Sequence, residues 1–172
     1  MTDVVNHIRK LNELIKDIEI AMLTTATADG TLHSRPMATQ EADPQGNLWF
    51  LTRKDSSKIS EVQSERHVNV SFAEPKDTRF VSVSGTVELV EDRKKIEELW
   101  NPIYKAWFPR GLEDPEIVLM KVHVSEAEYW DTPNGKMVQL AGFVKAVATG
   151  KTYRTSEDEH AKIDFETGRK TA

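Results

Sequence analysis

The first hydrophobic positions of the chain recur at steps of three and four residues. They are Val4, Ile8, Leu11, Ile15 and Ile18, and a helix with 3.6 residues per turn places all five on one side. The pattern therefore predicts an amphipathic amino-terminal helix that covers one end of a sheet.

Strand-forming segments follow this helix and predict a β-meander. They read AMLTTAT, LHSRPMAT and NLWFLTR, and the segments between them, ADG and EADPQG, contain residues typical of turns. The next segment, KDSSKISEVQSE, predicts a short helix. Asp55, Ser56 or Ser57 can cap its amino terminus, because short oxygen-bearing side chains accept hydrogen bonds from free backbone N–H groups.

Two segments with strict alternation come next. HVNVSFAEP places Val68, Val70 and Phe72 on one face. RFVSVSGTVELVE alternates over a greater length, and its Gly85 indicates a bulge or a close approach of two backbones. We expect this second segment to be the longest strand, and VLMKVHVSEAEYW to be the final one.

The remaining segments predict peripheral elements. DRKKIEELW is typical of a helix with Ile96 on its buried side, NPIYKAWFPRG is irregular because of its prolines, and AGFVKAVATG predicts another short helix. Most strand connections are short enough for antiparallel neighbours. The expected fold is mainly β, an antiparallel barrel with peripheral helices over residues 5–150, followed by a polar tail, 151–172, that lies outside the core.

Composition limits the classes of function. The chain has 172 residues, no cysteine and a net charge of −5, so disulfides, thiolate metal sites and a cysteine nucleophile are excluded, and a nucleic-acid partner is not expected. The five histidines do not fall at metal-ligand spacings. We find neither a signal-peptide pattern nor an apolar run of membrane-spanning length, so we expect a soluble, cytoplasmic protein with no membrane partner.

The segment RKDSSK, residues 53–58, combines cations, two hydroxyls and a predicted helix start. Backbone N–H groups of a first helical turn favour an anion, and lysine and serine add hydrogen bonds, so this segment is a candidate phosphate site. A capped helix start in solvent explains the same residues. Arg35 can reach a ligand phosphate from its strand, or it can be a surface residue at a sheet edge, which the adjacent Pro36 also favours.

Four segments together resemble a known family. TTATADGTLHSRPM, LWFLTRKDSSKISEV, VSVSGTVELV and YWDTPNGKMVQLAGF are similar in order and spacing to the general-stress-protein branch of the pyridoxamine-phosphate-oxidase-like flavoproteins, over roughly residues 5 to 147. The resemblance implies an antiparallel split β-barrel that forms a homodimer, with flavin mononucleotide (FMN) bound at the subunit interface and lined by both chains.

The resemblance also implies site residues. Arg35 matches a phosphate-binding arginine, Ser56, Ser57 and Lys58 match the phosphate-binding segment, and Trp130 matches an aromatic residue that borders the flavin. The stretch that faces the flavin ring is implied to contain Met37, Thr39, Leu51 and Thr52.

The chain departs from true pyridoxamine-phosphate oxidases after Trp130. Their arginine and histidine that grip the substrate phosphate are missing, since Lys136, Val138 and Leu140 stand in that stretch. We therefore expect a flavin-dependent oxidoreductase of unknown substrate, with NPIYKAWFPRG as its lid and no assigned catalytic acid or base. The alternatives are a non-catalytic flavin-binding or redox-sensing protein, or a barrel that binds deazaflavin F420 or haem. The haem alternative is disfavoured because the sequence has no well-placed histidine to serve as an axial ligand.

Overall fold

Eight antiparallel strands form the frame of the molecule in the computed structural model, which describes residues 2–131 and 160–171. The strands are β1 Ile20–Ala26, β2 Leu32–Ala38, β3 Leu48–Arg53, β4 His67–Glu74, β5 Arg79–Val90, β6 Ile117–Trp130, β7 His160–Asp164 and β8 Arg169–Thr171. The helices are α1 Thr2–Ile15, α2 Ser57–Ser64 and α3 Arg93–Leu99, and two 3₁₀ segments follow at Pro102–Ala106 and Gly111–Glu113.

Strand β6 is the element at which the barrel splits. Along one edge it pairs with β5, and along the other its first half pairs with β3 and its second half with β7. The remaining strands continue from β5 in the order β4, β1, β2. This branching sheet with its peripheral helices is the expected antiparallel split β-barrel.

The main core fills the barrel and lies under α1. Leu11, Leu14 and Ile15 of that helix are each at most 2% exposed and pack against the inward side chains of the strands. The inward side chains alternate as the sequence predicts, since Val68 and Val70 are buried while their neighbours on β4 are not. The hydrophobic stripe of the amino-terminal helix is thus confirmed as a barrel cover.

Gly85 marks a bulge and a close approach, as its position in β5 predicts. The pairing register between β5 and β6 shifts between Ser84 and Gly85, and a Cβ atom on Gly85 would lie 2.2 Å from the carbonyl oxygen of His123. The prediction that β5 is the longest strand is wrong, because β6 has 14 residues and β5 has 12. The extra length of β6 follows from its two successive partners on one edge.

A second hydrophobic cluster fixes the irregular segment after α3. Tyr104 and Phe108 from this segment are buried against Trp49, Leu51 and Leu119 of β3 and β6. Trp107, in contrast, is 54% exposed. The segment is therefore anchored on the sheet beside β3, with one tryptophan left at the surface.

The expectation that the chain from Lys151 onward lies outside the core is wrong for residues 160–171. Strand β7 pairs with the second half of β6 and β8 pairs with β7, and Ala161 and Ile163 are at most 2% exposed. Consequently VLMKVHVSEAEYW, which forms β6, is not the final strand. A short alternating strand in a polar segment buries only two apolar side chains, so mean composition concealed it.

Two predictions fall outside the described residues. They are the short helix in AGFVKAVATG and the role of the stretch that contains Lys136, Val138 and Leu140. In the part of the chain that the structure describes, none of the helices has the length and apolar character needed to cross a membrane.

The burial of Ile163 leads to a stability prediction. Ile163→Ala removes core side-chain volume, so we expect the free energy of unfolding, measured by urea titration, to fall by about 2–4 kcal/mol. Thr171→Ala on exposed β8 serves as the control and should change it by less than about 0.5 kcal/mol. Equal, small effects of both substitutions would show that β7 is not part of the core.

Candidate functional site

A cleft of about 260 Å³ opens between the ends of β2 and β3, the start of α2 and the irregular segment after α3. We call it the main cleft. Its lining includes five of the residues implied by the resemblance, namely Met37, Leu51, Thr52, Ser56 and Lys58. Most of the remaining wall is apolar and includes Ile20, Pro36, Tyr104, Trp107 and Phe108.

Lys58 provides a positive charge at one end of the main cleft. Its Nζ atom donates hydrogen bonds to Thr52 Oγ1 at 3.0 Å and to Ser56 Oγ at 2.8 Å. Burial lowers the pKa of Lys58 from its usual value, and the nearby charge of Arg35 lowers it further, while Glu61 acts in the opposite direction. Within residues 2–131 and 160–171, no carboxylate oxygen lies within 4 Å of this ammonium group.

The helix start beside Lys58 has the features of an anion site. Ser56 is the N-cap of α2, but its side chain makes no capping hydrogen bond and instead accepts from Lys58. The first N–H groups of a helix have no intrahelical acceptor, so those of Ser57 and Lys58 are available to a ligand. Ser57 itself is exposed and does not line the cleft, so only its backbone N–H group is available to a ligand there.

Arg35 lies beside the main cleft but not in its wall. Its Nη1 atom donates to Thr25 Oγ1 at 2.8 Å, and its Nη2 atom donates to Glu61 Oε2 at 2.8 Å. Arg35 is therefore held by an internal carboxylate, and both of its terminal nitrogens already donate hydrogen bonds. Its expected contact with a phosphate stays a prediction.

Glu61 is a central residue of the site that the sequence analysis missed. It is 9% exposed, and its carboxylate accepts hydrogen bonds from Thr25, Arg35 and His33. Burial alone would raise the pKa of Glu61, but the hydrogen bonds from Thr25, His33 and Arg35 lower it to about 2. No local pattern indicates this role, because its three partners are 26 to 36 positions away in the sequence.

The irregular segment contributes three aromatic side chains to the main cleft, as its proposed role as a lid requires. Tyr104 and Phe108 are buried and Trp107 is half exposed, and all three are in the cleft wall. Lys105 and Arg110, the two cations of the segment, are not in that wall. The segment therefore supplies apolar cover but no charge to this cleft.

The structure separates two implied residues from the main cleft. Thr39 lines a neighbouring hollow and donates its hydroxyl to the carbonyl of Ile18. Trp130 stacks on His160, with ring centroids 5.3 Å apart. It is the last residue of β6, whereas β3 beside the cleft pairs with the first half of β6, and Trp130 is not in the cleft lining. Within one chain, Trp130 does not reach the cleft.

Comparison with known proteins decides the family. The sequence model of the family described as "Pyridoxamine 5'-phosphate oxidase like" matches residues 6–154. The chain belongs to this family.

Individual proteins are also similar to this pyridoxamine 5'-phosphate oxidase like chain. Protein bli-3 of Neurospora crassa is 31% identical over 154 residues, which cover 84% of this chain and 74% of that protein. General Stress Protein 26 from Bacillus anthracis str. Sterne superposes with a TM-score of 0.65 at 26% identity, covering 72% of this chain and 93% of that chain. A general stress FMN/FAD binding protein from Xanthomonas citri gives a TM-score of 0.62 at 29% identity, covering 74% and 92%.

In this pyridoxamine 5'-phosphate oxidase like protein, Glu61 leads to a prediction about acid stability. A carboxylate whose pKa is depressed on folding stabilises the protein above its unfolded pKa, and this contribution is lost as the pH falls toward the folded value. Glu61→Gln should therefore lower the free energy of unfolding by about 1–3 kcal/mol at pH 7. The difference from wild type should shrink at about pH 3, as measured by urea titration.

Glu98→Gln is the matched control, since Glu98 is an exposed partner of Lys95. It should have little effect at either pH. A Glu61→Gln deficit that stays constant between the two pH values would contradict the assignment.

Proposed function

We propose that this protein binds FMN in the main cleft. The observation that supports this most directly is the half-buried ammonium group of Lys58, which two hydroxyls position at the end of an apolar cleft. A dianionic phosphate matches this end, because charge-assisted hydrogen bonds from Lys58 and from the free N–H groups of α2 strengthen where water is partly excluded. The flavin-binding relative from Xanthomonas citri is consistent with this choice of ligand.

The apolar part of the cleft fits the flavin ring. Met37 and Leu51 come from β2 and β3, and Phe108 and Trp107 come from the irregular segment. These side chains can contact a flat ring on its faces and exclude water from it. Thr52 lies between the apolar part of the cleft and Lys58, and its hydroxyl accepts a hydrogen bond from Lys58. Thr52 is therefore next to both the proposed ring site and the proposed phosphate site.

The activity we propose is that of a flavin-dependent oxidoreductase of unknown substrate. Bound flavin supplies the capacity to accept and donate electrons, and the protein binds, orients and shields it. A role in stress response is part of this proposal, since solved relatives are named general stress proteins. We retain the prediction of a cytoplasmic protein on the grounds of its missing cysteines.

A non-catalytic flavin-binding protein is the second candidate, because the described residues that line the main cleft include no histidine, aspartate or glutamate. Rapid reoxidation of the reduced, protein-bound flavin by an added acceptor would favour the enzyme. Visible absorbance titrations of the protein with F420 and with haem test the remaining cofactor alternatives.

We further propose that the functional unit is a homodimer with flavin at the interface. Four large apolar side chains, Ile20, Met22, Phe80 and Trp130, are each 39–48% exposed, and the register places them on one outer sheet face. Ile20 also lines the main cleft, so the cleft opens toward that face. A second copy seated there would bring its own Trp130 near the flavin, which explains the distance within one chain.

The phosphate assignment is tested by Lys58→Ala. Loss of one charge-assisted hydrogen bond costs about 1.5–3 kcal/mol, so the affinity for FMN should fall about 10- to 150-fold while the affinity for riboflavin is nearly unchanged. Both affinities follow from visible absorbance titrations.

Lys54→Ala is a suitable control, because Lys54 is in the same segment but pairs with Glu91. It should bind FMN like wild type. An equal loss of FMN and riboflavin in Lys58→Ala would exclude a phosphate contact.

The dimer is tested by Met22→Asp. A charge on the outer sheet face should oppose association because it would be buried without a partner, so light scattering should report a dimer for wild type and a monomer for the variant. Val5→Asp, on an exposed position of α1, should remain dimeric. A wild-type monomer that binds FMN tightly would contradict the proposal.

A further inference from the structure

A second hollow of about 190 Å³ lies next to the main cleft. The two share a wall that consists of Ile20, Ala38, Tyr104 and Trp107. A ligand in the second hollow would therefore lie next to any ring bound in the main cleft, with only these side chains between them.

The side-chain amide of Gln40 fixes the hydrogen bonding in the shared wall. One Gln40 atom lies 2.9 Å from the carbonyl oxygen of Leu99 and 3.1 Å from Tyr104 Oη. A carbonyl oxygen can only accept, so this atom is Nε2 and one of its hydrogens goes to Leu99. Its second hydrogen then goes to Tyr104 Oη, which acts as the acceptor.

The hydroxyl hydrogen of Tyr104 is consequently available. Among residues 2–131 and 160–171, the hydroxyl donates to no protein acceptor, although Tyr104 is only 5% exposed. Burial also raises the pKa of Tyr104, so the hydroxyl keeps its hydrogen over the neutral range. Gln40 lines the second hollow and not the main cleft, which places the hydroxyl end of Tyr104 on the side of the second hollow.

The charges around the second hollow limit the kind of ligand that can bind there. Glu19 and Glu41 are in its lining against a single lysine, Lys16. This excess of negative charge disfavours a carboxylate or phosphate. Ile15, Ile18 and Ile103 supply apolar surface in the same hollow, so a neutral molecule with an apolar body and one oxygen acceptor fits best.

We propose that the second hollow is a binding site for a neutral carbonyl compound, such as a ketone, and that Tyr104 donates the hydrogen bond that recognises its oxygen. This inference goes beyond the proposed function, since the four shared side chains lie between a ligand in this hollow and flavin in the main cleft. The binding itself is a property of this chain alone.

The experiment uses acetophenone as the probe and isothermal titration calorimetry as the readout, with the protein as purified and after saturation with FMN. We expect saturable binding of acetophenone to wild type and a 3- to 10-fold weaker binding to Tyr104→Phe, about the contribution of one neutral hydrogen bond. Benzoate, of similar size but charged, should bind much more weakly than acetophenone to wild type.

Tyr129→Phe is the matched control, since Tyr129 is equally buried but lines a different hollow; it should bind acetophenone like wild type. Equal binding of acetophenone to Tyr104→Phe and wild type, or no binding to wild type, would overturn the proposal. Failure of FMN binding would instead overturn the proposed function, and the titration without FMN separates the two outcomes.

Discussion

A buried carboxylate attaches the helix that carries the candidate site to the sheet. Glu61 on α2 is compensated by a hydroxyl from β1 and by two side chains from β2, Arg35 and His33. Removing one of these partners would leave the buried Glu61 carboxylate incompletely compensated, and an uncompensated buried charge lowers the free energy of unfolding. Because Lys58 is one turn earlier on the same helix, the position of its ammonium group depends on this network.

The path of β6 determines where the main cleft forms. Its first half pairs with β3 and its second half with β7, so the barrel wall separates into two directions. The ends of β2 and β3 are left side by side without pairing to each other, and α2 begins directly after β3. The irregular segment then covers this opening with Tyr104 and Phe108, which the second hydrophobic cluster holds in place.

Local pattern was sufficient to predict most elements, including the helix start that carries Lys58 at one end of the main cleft. Alternation located β4 and β5, Gly85 indicated the bulge, and the composition of residues 53–58 indicated the helix start with Lys58. Each of these signals comes from residues close together in the sequence.

Glu61 could not be found in this way, because its partners Thr25, His33 and Arg35 are 26 to 36 positions away and only tertiary packing shows that it is buried. The strand β7 was missed for a related reason, since its two core side chains become informative only once β6 is known to have a free edge.

The distribution of ion pairs explains how an acidic chain can present a positive charge in the main cleft. Arg53 pairs with Asp55 and Asp114, and Lys54 pairs with Glu91, so these neighbouring cations already have partners near the site. Lys58 differs from them because its ammonium group is held by neutral hydroxyls, which orient the charge without neutralising it. The positive potential at the end of the cleft therefore comes from the type of partner that each cation has, and not from the number of cations.

The same reasoning applies to Tyr104, whose hydroxyl accepts from Gln40 and so keeps its own hydrogen for a ligand. In both places a neutral neighbour fixes the position of a polar group and leaves its ability to donate intact.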